Sequence, residues 1–238
     1  MPRPESIENR WDILYRDYPE VYEAFSNTPY HPTVIELLPG IIDLKDKTVA
    51  DVGAGTGSST LALGRYAREV IGIEYEPAML RLAQEKAQAA AGPEGSLAER
   101  VRFVSGDALA LPLADDAVDV VTGITLALYP PGQYRDFIRE GLRVARGPVV
   151  YVGIPHGWYG GDLYDVIEDV EKVDDEVDRI FLEEHHFAYR DVFTDQDYGT
   201  LEHIVSTYGF IFGKKTIEYL KRENKTTIRW KFRVYWKE

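Results

Sequence analysis

The sequence predicts an α/β protein built on a doubly wound parallel sheet. Three observations carry that expectation. Five short apolar runs between residues 48 and 154 alternate with stretches of helical periodicity, the pattern of parallel strands joined by crossover helices. The first run, Thr48 to Val52, feeds a turn with glycines at alternate positions, Gly53, Gly55 and Gly57, and Ser58-Ser59-Thr60 then opens a helix through Leu61, Leu63 and Tyr66. Carboxylates stand at the ends of the first three runs: Asp51, Glu74 and Asp107.

Composition sets the outer limits. A chain of 238 residues is long enough for one large domain with a real core. Its 45% apolar and 28% charged residues are ordinary for a globular protein. No apolar run reaches the length of a membrane span, so no membrane partner is expected. Met1-Pro2-Arg3-Pro4-Glu5-Ser6 lacks an apolar signal core, and a cytoplasmic setting is expected. Cysteine is absent, which excludes disulfides, thiolate metal sites and a cysteine nucleophile. The net charge of −13 is uneven: residues 214–238 hold nine Lys/Arg against three acids, leaving 18 against 37 in the rest. Such an acidic body repels phosphate backbones, so no nucleic-acid partner is expected and a small molecule is.

Before the first strand, Trp11, Tyr15, Tyr18, Tyr22 and Phe25 recur at steps of four and three, placing five rings on one helical face. Pro19 fits the first turn of a second helix. The rings either pack on the domain or cover a ligand. Tyr30-His31-Pro32 precedes a short amphipathic piece from Thr33 to Leu38, closed by Pro39-Gly40.

Strand two runs from Glu69 to Glu74, with Tyr75 beside the terminal acid, and Pro77 starts a helix over Ala78 to Ala91 with Met79 inward. Gly92-Pro93-Glu94-Gly95 reads as a loop. Strand three is Val101 to Ala108, strand four Asp116 to Gly123, a helix spans Gln133 to Val144, and strand five is Pro148 to Ile154. Residues 155–195 then hold 13 acids against three bases, with Leu163, Val166, Val170, Val173, Val177 and Ile180 at helical spacing. They predict one long amphipathic helix forming a cap insertion. Glu183-Glu184-His185-His186 does not converge on one ion, because adjacent helical side chains diverge by about 100°, and no metal is expected. Gln196 to Tyr208 resumes a helix. Phe210 to Leu220 and Thr226 to Trp236 are expected as a closing hairpin with a basic outer face. The whole reads as a single domain over 1–238: a helical N-terminal cover (1–40), a core (41–154), a helical cap insertion (155–195), and a C-terminal helix and β-hairpin (196–238).

The glycine turn and the strand-end acids define a binding site. Glycine lets a ligand approach more closely than a Cβ permits. An acid at the tip of strand two lies where a ribose would lie and can accept both of its hydroxyls. Asp107 can accept from the exocyclic amine of a base. A ring of acids suits a cationic ligand and disfavours a pyrophosphate.

Asp51-Val-Gly53-Ala-Gly55-Thr-Gly57, the acid Glu74 and Gly106-Asp107-Ala108 resemble the first three motifs of the class I S-adenosylmethionine-dependent methyltransferases, in particular the small-molecule group labelled type 11. The resemblance covers residues 30–154. It implies a Rossmann-like, mainly parallel seven-stranded sheet with an antiparallel last strand. It also implies S-adenosyl-L-methionine as cofactor. Gly53, Gly55 and Gly57 would then pass close to the methionine part, Asp51 and Ala54 would belong to the same cofactor site, and Glu74 would hold the ribose with Tyr75 beside it. Gly106 and Asp107 would meet the adenine, Ala108 and Met79 would flank its ring, and Gly123 would start the stretch running past the methionine. Methyl transfer from a sulfonium is an in-line displacement that asks chiefly for positioning and exclusion of water. Where the acceptor must lose a proton, Tyr30, His31, Tyr129 and His156 are the candidate bases. Two alternatives share the sheet: an NAD(P)-dependent oxidoreductase, which Glu74 fits equally, and a cofactor-binding regulatory protein without turnover. The acceptor, the atom methylated and the oligomeric state stay open.

Overall fold

The computed structural model describes residues 10–26, 30–90, 97–167 and 175–238. The terminus before residue 10, the expected loop at 92–95, and Val170 and Val173 lie outside the described residues.

Seven strands form one sheet in the order β3-β2-β1-β4-β5-β7-β6. They are β1 (Thr48–Val52), β2 (Glu69–Glu74), β3 (Val101–Ser105), β4 (Val120–Ile124), β5 (Val149–Gly153), β6 (Ala188–Asp197) and β7 (Thr227–Lys237). Strands β1 to β5 run parallel, and β7 is antiparallel to both β5 and β6. The expected sheet, with its antiparallel last strand, is present. Strand order reverses between β1 and β4, and ligands of open α/β sheets bind at the carboxyl ends beside such a switch point.

Both faces are covered, which is why the central strands read as unbroken apolar runs. Alternate residues of one strand enter opposite cores: Val49 joins one cluster and Ala50 the other. The first core collects α1 (Arg10–Asp17), α2 (Pro19–Ser26), α3 (Tyr30–Leu37) and α4 (Ser58–Leu63), together with Ala83 of α5 (Pro77–Ala89). A short α6 (Leu97–Arg100) leads into β3. The second core is built on α7 (Tyr134–Val144), whose Phe137 and Ile138 are fully buried. No helix among the described residues is long and apolar enough to cross a membrane.

Two expectations are corrected. First, the described part of residues 155–195 is not one long helix. After a turn at Gly161–Leu163, the described chain resumes as α8 (Glu176–Asp178), which widens into a π turn over Arg179–Glu184, and then enters β6. This helix lies on the sheet. Phe181 stacks on Tyr151 of β5 with centroids 4.7 Å apart, and Asp178 accepts from Arg233 of β7 at 2.9 Å. Glu184 is held by Arg135 of α7 at 2.7 Å and by Arg179 at 2.5 Å, so its acidic outer face is ion-paired. The β6 stretch was hidden by its acids. Asp191 and Asp195 alternate with buried Val192, Thr194 and Gln196 and pair across the strands with Arg233 and Arg229.

Second, Phe210 to Leu220 is helical, and Gln196 belongs to a strand. The chain after β6 forms α9 (Leu201–Ile204), a π turn (Val205–Gly209), α10 (Phe210–Phe212) and α11 (Lys214–Glu223). Gly213, at φ +88°, starts α11, where Thr216 and Leu220 are buried one turn apart. The hairpin partner of β7 is therefore β6. Strand bounds also tighten: β3 stops at Ser105, two residues before Asp107, and β4 starts at Val120.

The aromatic seam splits at Pro19. Trp11, Tyr15, Tyr22 and Phe25 form a connected cluster that reaches Tyr208 and Phe212, while Tyr18 is 46% exposed against Phe210. The end of α2 is anchored far away: the Phe25 carbonyl accepts from Gln196 Nε2 at 2.8 Å and from Tyr198 Oη at 3.0 Å.

Candidate cofactor site

The glycine turn stands between β1 and α4. Gly53, Gly55 and Gly57 all have left-handed φ, at +72°, +56° and +86°. Two of them make room for the protein itself. A Cβ on Gly57 would lie 2.7 Å from Phe103 Cζ, and one on Gly53 would lie 2.6 Å from Leu126 Cδ1. Gly55 has space, with Met79 Cε and Tyr22 Cε1 each 3.7 Å from its Cβ position.

Strand β2 holds the turn in place. The Ile73 carbonyl accepts from the amides of Gly53 at 2.9 Å and Ala54 at 3.0 Å. Glu74 Oε2 accepts from Gly55 N at 2.7 Å, and its Oε1 accepts from Glu76 N at 2.8 Å. Burial raises the Glu74 pKa above the ordinary carboxylate value, against those backbone bonds. A carboxylate offers about four acceptor positions, and with the Tyr75 amide also against it Glu74 keeps some capacity for a ligand.

Asp51 is placed differently from Glu74. It is 1% exposed, and its two oxygens accept from Thr60 Oγ1 of α4 at 2.7 Å and Thr122 Oγ1 of β4 at 2.8 Å. It joins three elements behind the turn. Burial pushes its pKa up to about 6 from the ordinary 3.8, with Glu74 adding repulsion and the two hydroxyls opposing. The folded protein therefore binds this proton more tightly than the unfolded chain, and stability falls as pH rises from about 4 to about 6. Asp51→Asn removes that titration. Relative to the unchanged protein, it is expected to gain about 2–3 kcal/mol between pH 4.5 and pH 7.5 in urea unfolding. Parallel pH profiles for the two proteins would contradict this.

Asp107 is exposed at the rim, where Oδ1 accepts from Leu109 N at 2.8 Å and Oδ2 has no partner among the described residues. Ala108 and Met79 are buried nearby in the chain's apolar lining, and Tyr75 is 73% exposed. Gly106 gives room to Ile73 and Pro112, and Gly123, inside β4, to Phe137. Of the candidate bases, Tyr129 is 58% exposed and His156 is exposed. Tyr30 and His31 fall in α3, and their side chains lie outside the described residues.

A shallow cleft opens between the turn and α2, lined by Gly53 to Thr56, Ser58 and Ser59 on one side, Tyr22 and Ser26 on another, and Ile124 and Thr125 from β4. A polar clasp closes its edge. Glu23 of α2 accepts from Thr56 Oγ1 and from Lys86 Nζ of α5 at 2.6 Å, and Lys86 also reaches Ser58 Oγ at 2.9 Å.

Comparison with known proteins matches residues 49–147 to the model of a methyltransferase domain. These residues are a class I methyltransferase domain. An uncharacterized methyltransferase of Bacillus subtilis, YcgJ, is 33% identical over 108 residues, 45% of this chain and 40% of that protein. A demethylmenaquinone methyltransferase of Renibacterium salmoninarum is 30% identical over 160 residues, 66% and 62% of the two chains. The chain spans less than two thirds of the length of these relatives. Among solved structures, the magnesium protoporphyrin IX methyltransferase of Synechocystis PCC 6803, with bound S-adenosylmethionine, superposes with a TM-score of 0.59 at 13% identity, covering 98% of this chain and 99% of that one.

The Synechocystis structure holds S-adenosylmethionine, and the residues present here fit such a ligand: an open glycine turn at Gly55, unused acceptor capacity on Glu74 and Asp107, and a cleft at the switch point. Expected site residues fall into two groups. Gly53, Ala54 and Gly55 line the cleft; Glu74 holds the Gly55 amide and Met79 Cε lies 3.7 Å from the Gly55 Cβ position, whereas Asp107 is outside the lining, Asp51 is tied to Thr60 and Thr122, and Gly57, Gly106 and Gly123 make room for neighbouring side chains. Glu23 and Lys86 were not expected. They meet across 63 residues of sequence, and α2 lies outside the domain's matched range. The helical spacing of Tyr22 within the aromatic seam was the one available signal.

Proposed function

We propose that this chain is an S-adenosylmethionine-dependent methyltransferase acting on a small-molecule acceptor. The observation that carries this reading is Glu74, buried at the tip of β2 and locked to the Gly55 amide with acceptor capacity to spare. When bound, the cofactor supplies an electrophilic methyl group on a sulfonium. The chain's residues hold and shield it. Glu74 would accept from the two ribose hydroxyls, Asp107 Oδ2 would accept from the adenine amine, and Met79 and Ala108 would supply apolar walls. Gly53 to Gly55, which line the cleft, would hold the amino-acid arm. Helices α1 and α2 keep water from the transfer, which raises the effective concentration of the oriented acceptor.

The names of the relatives support a small acceptor, and so does the acidic body, which disfavours a nucleic acid. An oxidoreductase reading is disfavoured by the site's acids, which would repel a pyrophosphate.

The test is a pair of measurements. S-adenosylhomocysteine at about 100 times its Kd is expected to stabilise the protein by about 2.7 kcal/mol in thermal unfolding, while NADH leaves the transition unmoved. Labelled S-adenosylmethionine is then expected to pass its methyl group to a member of a small-acceptor panel. Stabilisation by NADH alone would reverse the assignment.

A further inference from the structure

We propose that Glu140 and Arg143 of α7 are positioning residues for base recognition: they fix the loop that carries Asp107 and so set a preference for a 6-amino over a 6-oxo purine. The inference rests on the S-adenosylmethionine reading above and places part of its selectivity outside the cleft.

Asp107 stands on the chain between β3 and β4. Its own turn is closed locally. Oδ1 accepts from Leu109 N at 2.8 Å, and the Asp107 carbonyl accepts from Ala110 N at 3.2 Å. Those bonds fix the shape of the turn but not its place. Placement comes from the two flanks. On the entry side, Gly106 N donates to the Glu74 carbonyl at 3.0 Å, which ties the loop to the tip of β2. On the exit side, Leu111 N donates to Glu140 Oε2 at 2.8 Å, and the Leu111 carbonyl accepts from Arg143 Nη2 at 3.2 Å. Both backbone groups of one residue thus end on a single ion pair.

That pair is rigid. Arg143 donates from Nε and Nη2 to the two oxygens of Glu140, at 3.0 and 2.7 Å, in a bidentate fork. Its Nη1 reaches the Leu113 carbonyl and Asp115, each at 2.9 Å. Hydrogen bonds from Arg143 hold the Glu140 carboxyl below the usual carboxylate range, so it stays an acceptor at neutral pH. The Leu111 side chain is buried in the same core as Phe137 and Ile138 of α7, so the exit cannot shift without moving the core. Asp107 Oδ2 has no partner among the described residues, and its direction follows from where the loop is held. A 6-amino purine offers that oxygen an N–H, and a 6-oxo purine offers it a second acceptor. Tilting the loop weakens the first contact and eases the second, so the ratio of the two affinities reports the placement of the loop.

Titration calorimetry with S-adenosylhomocysteine and S-inosylhomocysteine tests the assignment. The unaltered protein is expected to bind the adenosyl compound about 10- to 100-fold more tightly, the range of a hydrogen bond to a charged group. Glu140→Ala is expected to cut that ratio by about fivefold or more, yet to change it by less than about twofold in an Asp107→Ala background, because Glu140 acts through Asp107. Arg143→Lys keeps a cation beside Glu140 but loses the fork; it is expected to cut the ratio by about threefold, and it carries the test if Glu140→Ala does not fold. An unchanged ratio in the folded variants, or the same loss with and without Asp107, would overturn the inference and leave the pair a brace for the fold. Equal binding of both purines by the unaltered protein would overturn it as well. An unaltered protein that bound neither compound would instead overturn the cofactor reading, and this inference with it.

Discussion

Glu74→Gln is expected to weaken S-adenosylmethionine binding by a hundredfold or more. The substitution keeps the shape of the side chain and removes its charge. An ionised carboxylate accepts only, and Glu74 already accepts from Gly55 N and Glu76 N. A glutamine has one accepting oxygen, so its NH₂ group either meets a backbone amide, donor against donor, or faces the ribose, where a hydroxyl loses its charged acceptor and must turn to accept. Hydrogen bonds to charged groups contribute about 1.5–3 kcal/mol each, and losing two corresponds to roughly 3–4 kcal/mol or more. Isothermal titration with S-adenosylhomocysteine reads the loss directly. An affinity within threefold of the unchanged protein would mean that the β2 tip does not hold the ligand.

Gly57→Ala is expected to cost about 2–4 kcal/mol of folding stability, because two penalties coincide there. A left-handed φ of +86° is unfavourable for any residue with a Cβ, and that Cβ would meet Phe103 at 2.7 Å and Ala83 at 3.1 Å. Urea unfolding separates the two. Adding Phe103→Leu is expected to recover the steric part and leave the backbone part. A single-variant cost below about 0.5 kcal/mol would show that the turn relaxes freely.

Much of this molecule is written in local sequence pattern. The runs that became β1, β2, β3, β4 and β5 are bounded by Gly, Pro and charged residues, and the glycine spacing at 53, 55 and 57 marks the strand-to-helix turn without outside help. The errors arose where local pattern had two meanings. Asp191 and Asp195 look like the wet side of a helix until Arg233 and Arg229 are seen opposite them. Phe210-Ile211-Phe212 has the composition of a strand, but the Phe212 ring packs among Trp11, Phe25 and Tyr208, and tertiary context overrides the propensity.

The site divides in the same way. Glu74 was legible because strand-tip position fixes where an acid sits. Asp51 occupies an equivalent-looking tip, and nothing local reveals that Thr60 and Thr122 take both of its oxygens. Contact between Glu23, Thr56 and Lys86 depends on three elements meeting, which no spacing rule encodes.

The tie between the Phe25 carbonyl and Gln196 and Tyr198 bears on the order of assembly. Edge strand β6 has no neighbour in the sheet until β7 inserts between it and β5. A chain emerging from the ribosome thus makes the helices over its ligand cleft first and receives their mooring last. Until residues 227–237 are free to pair, the glycine turn can be complete while its roof is held by the Glu23 clasp to Thr56 and Lys86 without the Phe25 tie. Ligand retention during synthesis is therefore expected to arrive in a single late step.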